Sequence, residues 1–127
     1  MGMVQNLCLS EPSAIDTDAV QILKRELGEK RCRGIIDKII FDITDTLCRI
    51  ERLVASGHLE ELPPHLQRLS DLSNQVGLIC MLDVAHDLSD AVRQSDAIAI
   101  AAIASRLIRI GEDSLFSLIE FTDRSIV

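Results

Sequence analysis

A chain of 127 residues is long enough for one domain with its own hydrophobic core and too short for two comfortable ones. Its net charge of −7, from 13 Lys and Arg against 20 Asp and Glu, argues against nucleic acid or an anionic membrane surface, which need a basic patch, and favours a protein partner. Hydrophobic residues make up 47% but aromatic ones only 2%, so the core must be built from Ile, Leu, Val and Ala, which suits packed helices better than a sandwich or barrel.

Residues 1–14 read as a flexible N-terminal arm, with Pro12 and few periodic apolar positions. The opening MGMVQNLCLSEPS lacks a basic region followed by an apolar run and a cleavage site, and Asn6 stands where a myristoylation signal has Ser or Thr. Cys8, Cys32, Cys48 and Cys80 are widely spaced, without a C-x-x-C pair, and read as core thiols in a reducing compartment. The longest apolar run, Ala97 to Ala104, falls far short of the roughly 20 residues of a membrane-spanning helix. The expected location is the cytoplasm.

The first helix is expected from Asp16 or Thr17, either of which can cap it, to Leu27, with Gly28 as its terminator. A long second helix follows from Glu29 to Ser56, because Cys32, Ile35, Ile36, Ile39, Ile43, Leu47, Ile50 and Val54 recur at three and four residues. Gly57 ends it. The third helix is placed from about Leu62, since Pro63 and Pro64 are tolerated only in a first turn. Its residues Leu62, Leu66, Leu69, Ser73 and Val76 share one side; Gln67, Ser70, Asp71 and Asn74 share the other.

The fourth helix spans about Leu78 to Gln94, with Leu78, Met81, Leu82, Ala85, Leu88 and Val92 inward. The fifth, capped by Ser95 or Asp96, runs at least to Ile110. Gly111 then predicts a kinked continuation or one more short helix through Phe121. Between Ala97 and Ala104 the fifth helix is apolar almost all round, and needs cover on more than one side. Either the first helix folds over it in a central position, the simpler account, or a homodimer contact covers it.

Three stretches in order, IDTDAVQILKRELGEK, GHLEELPPHLQRLSDLSNQVGL and MLDVAHDLSDAVRQSDAIAIAAIASRL, give Ile15 to Leu118 a resemblance to the histidine-containing phosphotransfer (HPt) domain of two-component phosphorelays. The resemblance implies an all-α fold: an up-down four-helix bundle with a short extra N-terminal helix lying across one end, in a single domain over 15–127. The family motif is histidine, any residue, leucine, lysine, glycine, with a further glycine about ten residues after the histidine. Aligning Gly77 with that last glycine and Leu69 with the leucine puts Gln67 at the phosphoacceptor position, Ser70 at the lysine and Asp71 at the motif glycine. An amide cannot replace the imidazole, because its nitrogen lone pair is delocalised into the carbonyl. Asp71 would also face the acidic, Mg-binding pocket of a receiver domain. The resemblance therefore implies a degenerate module that docks a response-regulator receiver or a histidine kinase through Leu62, Leu66, Gln67, Ser70, Asp71 and Asn74.

Two other roles stay open. An active phosphotransfer protein would have to use His86 or His65. The stretch AHDLSDA around His86 repeats the histidine, any residue, leucine pattern, but that register leaves one helix after the site and puts Asp96 where the turn glycine belongs. Asp83, Asp87 and Asp90 around it also disfavour a nucleophilic role. His65 lies about 200° around the helix from Gln67, and His58 sits in the turn after Gly57. The third role is an unrelated helical homodimer with a structural function. Asp83, His86, Asp87 and Asp90 come from one helix without a matching second set, so no metal is expected. No nucleophile elbow, phosphate-cradling glycine loop or zinc-protease motif is present, and the sequence implies no cofactor.

Overall fold

The computed structural model describes residues 15–125; the arm expected over 1–14, and Cys8 within it, lie outside the described residues. These residues form five α-helices joined by short turns, and among them there is no strand. Helix α1, Thr17–Leu27, is capped by Asp16, whose Oδ1 accepts a 3.1 Å bond from the Asp18 N–H. Gly28 (φ 82°) closes α1 by donating its N–H to the Lys24 carbonyl at 2.9 Å, and its own carbonyl accepts from Cys32 at 3.0 Å to open α2. One glycine thus ends one helix and starts the next.

Helix α2, Glu29–Ser56, ends at Gly57 in the left-handed conformation. A 3₁₀ turn over Leu59–Glu61 leads into α3, Leu62–Gln75, where Pro63 and Pro64 occupy a first turn that has no intrahelical use for their missing N–H groups. Gly77 (φ 72°) reverses the chain, with the Leu78 N–H bonded to the Ser73 carbonyl at 2.9 Å, the signature of a Schellman end. Helix α4 is Ile79–Arg93. Of the two candidate caps for α5, Asp96 is the one used: its Oδ1 accepts from the Ala99 N–H at 3.1 Å.

Helix α5 is a single element, Ala97–Ser125. The separate short helix expected as one possibility after Gly111 does not form: the helix continues through the glycine, whose role is in packing. A Cβ at Gly111 would stand 2.7 Å from Cδ1 of Leu47 on α2. The residue lets two long helices approach each other; it does not break one of them.

Helix α2 packs on α3, α3 on α4, α4 on α5, and α5 back on α2, while α1 rests on α2. The enclosed core is aliphatic, with Ile36, Ile43, Ile50, Leu69, Leu88 and Leu107 fully buried. Ion pairs pin neighbouring helices: Arg33 to Asp123 between α2 and α5, Arg68 to Asp42 at 3.5 Å between α3 and α2, and Arg106 to Asp87 at 3.0 Å between α5 and α4. Exposed pairs of this kind are worth about 0–1 kcal/mol each, against roughly 1.5–3 kcal/mol for each large aliphatic side chain buried. The core, not the charges, holds the helices together.

Two sequence expectations are corrected here. Helix α1 does not cover Ala97–Ala104. It lies at the end of the structure that holds Gly77, whose carbonyl accepts a 2.7 Å bond from the Asp16 N–H, and Ile98 remains 85% exposed with Ala101 and Ala102 beside it. Nor are the cysteines uniformly core thiols: Cys32 and Cys80 are buried, but Cys48, one residue beyond the inward stripe at Leu47, is exposed. Burial pushes the Cys32 thiol up, with the Lys24 ammonium partly opposing it. No helix among the described residues is long and apolar enough to cross a membrane.

Candidate functional site

The polar side of α3 faces outward. Gln67, Asp71 and Asn74 are exposed and Ser70 is half-buried. Gln67 Nε2 donates a 3.0 Å bond to Asp71 Oδ1, one helical turn further on, so amide and carboxylate form a linked pair. Leu62 and Leu66 do not join this surface. Both are fully buried in the core, because they lie on the same stripe as Leu69 and Val76 and each inward position of α3 is needed to face α2 and α4. Of the six residues expected at a docking surface, Gln67, Asp71 and Asn74 are therefore open to solvent, Ser70 is half-buried, and Leu62 and Leu66 belong to the core.

Between α3 and α4 runs a groove of about 360 Å³, with Leu66 at its base. Pro63, Gln67 and Ser70 line it from α3, and His86, Ser89, Asp90 and Arg93 from α4. The structure thus brings together Gln67 and His86, which sequence reading treats as rival registers for one site. They are opposite walls of one groove. Asp90 is paired with Arg93, so the far wall offers an imidazole, a hydroxyl and a neutralised ion pair.

The other histidines stand apart. His65 is half-buried on α3 and does not line the groove, and His58 lies in the turn before α3 with Nδ1 2.7 Å from the Ser56 hydroxyl, a contact between near neighbours in the chain. The acidic residues of α4 divide. Asp90 faces the groove, while Asp87 turns to Arg106 of α5, and among the described residues no group of three His, Cys, Asp or Glu is placed to hold a metal ion.

Sequence reading missed the α4 wall as part of the site. Its signal was available, because His86, Ser89, Asp90 and Arg93 recur at the three-and-four spacing of one helical stripe. What the sequence could not supply was the neighbour that stripe faces. Comparison with protein-family models, with curated proteins and with solved structures gave no match. The groove's own chemistry is hydrogen-bonding groups on both walls and one exposed imidazole.

Proposed function

We propose that the chain is an HPt-like protein of a two-component phosphorelay, an up-down four-helix bundle with α1 as the extra N-terminal helix. In this reading it acts in the cytoplasm as a non-phosphorylatable module that docks a response-regulator receiver domain or a histidine kinase. The observation that carries the reading is the exposed Gln67–Asp71 pair at the place where the resemblance puts the phosphoacceptor motif. An amide there offers hydrogen bonds to a partner but no lone pair for a phosphoryl group. Its bond to Asp71 also engages the carboxylate that would otherwise meet the receiver's acidic pocket unpaired, which reduces the like-charge penalty on docking.

A second reading has one observation in its favour. His86 is exposed on the opposite wall of the same groove, so a receiver seated there would have an imidazole within its footprint. The experiment that separates the two is transfer of radiolabelled phosphate from phosphorylated receiver domains of the source organism, with binding recorded in the same samples. Binding without label is the expected result. Label on the protein would replace the docking reading with active transfer and, once mapped, choose between His86 and His65. Neither binding nor label would overturn both and leave an unrelated helical protein with a structural role.

A further inference from the structure

Of the three phenylalanines in the chain, Phe41 is 69% and Phe116 65% exposed. Putting two of its three aromatic side chains in water is costly for a protein whose core is mostly aliphatic, and it calls for an explanation. The contact of Leu47 with Gly111 and the pairing of Arg33 with Asp123 show that α2 and α5 run antiparallel, with Phe41 and Phe116 at about the same level. About 20 Å along the same two helices lies a groove of about 440 Å³, lined by Val54 and Ala55 of α2 and by Ala101, Ala104, Ser105 and Ile108 of α5.

The knobs and the groove share a face. Phe41 precedes Ala55 by about four helical turns and Phe116 follows Ser105 by about three, so each Phe projects on the side of its helix that forms the groove wall. A surface with bulky apolar groups at one end and, at the other, a hollow lined by small and aliphatic residues together with Glu51 and Arg109 is complementary to itself in shape after a half-turn.

We propose that this face binds a second copy of the chain in an isologous dimer, α2 against α2 and α5 against α5, both antiparallel. The two-fold axis passes across the middle of the face, near Cys48 on α2 and between Arg109 and Glu112 on α5. Phe41 of one copy then meets Ala55 of the other, and Phe116 meets Ser105. The charges agree with the shape: the same half-turn places Arg109 of each copy beside Glu112 of the other. Both are exposed, and Arg109 Nη1 donates to the Ser105 hydroxyl one turn back on the same helix at 3.2 Å. A two-fold axis along the helices would instead stack α2 on α5 and set Phe41 of one copy against Phe116 of the other, leaving both grooves empty. The α3–α4 groove is on other helices, so this inference does not depend on the proposed function.

Sedimentation equilibrium of the full chain over a range of concentrations, with helicity checked by circular dichroism, tests the proposal. A dimer is expected, and Phe116→Glu should weaken it by about a hundredfold, as expected for an aromatic anchor seated in a hollow of the partner. Arg109→Glu alone and Glu112→Arg alone should each weaken self-association by about tenfold, through like charges placed opposite one another. An equimolar mixture of those two variants should form a heterodimer at the parent's affinity, because every opposed pair is again of opposite sign. Mild oxidation with diamide in a Cys8→Ser background should trap the dimer through Cys48. A chain that stays monomeric would overturn the proposal, as would a dimer indifferent to Phe116→Glu, or charge variants that fail to rescue each other on mixing.

Discussion

Gly77 and Gly57 have nearly the same backbone angle, φ 72° and 78°, and very different surroundings. Around Gly57 an added Cβ would meet nothing within 4 Å; at Gly77 it would press on the backbone oxygen of Asp16 and stand 2.9 Å from that residue's Cβ. Gly57→Ala should therefore cost about 1 kcal/mol, the left-handed penalty alone. Gly77→Ala should cost at least about 1–2 kcal/mol more, since the clash involves backbone that also supplies the Asp16 to Gly77 bond at 2.7 Å. Urea denaturation of both variants gives the difference directly; equal losses would mean that α1 is not seated on the α3–α4 turn. The turn itself is legible in the sequence as the end of an apolar-periodic stretch. The contact with Asp16 is not, because nothing in local pattern says which distant residue a glycine is making room for.

At the scale of helices, legibility follows the same division between local and non-local causes. The ranges of α1, α2, α3 and α4 can be read from stripe spacing and from Gly28, Gly57, Pro63 and Gly77, each of which acts on its own backbone. The length of α5 cannot, because intrinsic propensity counts Gly111 as a break, whereas Leu47 on another helix fills the space beside it. This makes a coupling measurable. In the parent, the roughly 1 kcal/mol of helix propensity gained by Gly111→Ala is offset by about 1–3 kcal/mol of overpacking against the nearly buried Leu47. In a Leu47→Ala background the obstructing methyl is gone, and Gly111→Ala should stabilise by about 1 kcal/mol. A double-mutant cycle by chemical denaturation should thus show a favourable coupling above about 1 kcal/mol. Additivity within about 0.5 kcal/mol would mean that the two helices do not approach at this point.

For the molecule as a whole, the sequence makes the polar side of α3 legible but not the groove, which exists only because α4 packs beside it. It also assigns Leu62 and Leu66 to both faces, and only their burial decides between core and surface. The register of the proposed site can be tested by rebuilding it. Gln67→His, Ser70→Lys and Asp71→Gly together would supply an imidazole, a cation to neutralise the phosphoryl group, and a small residue permitting close approach. Gln67 and Asp71 are exposed and bonded to each other, so replacing both leaves no unpaired buried partner. The expected loss of stability is under about 1 kcal/mol, mostly the propensity difference between Asp and Gly in a helix. Such a variant, folded by circular dichroism, should accept labelled phosphate from a receiver that binds the parent without transferring to it, and the label should be acid-labile and map to position 67. A folded triple variant that binds the receiver and stays unlabelled would show that Gln67 does not occupy the acceptor position. Label on the variant at His86 would instead show that the receiver's active site approaches the other wall of the groove.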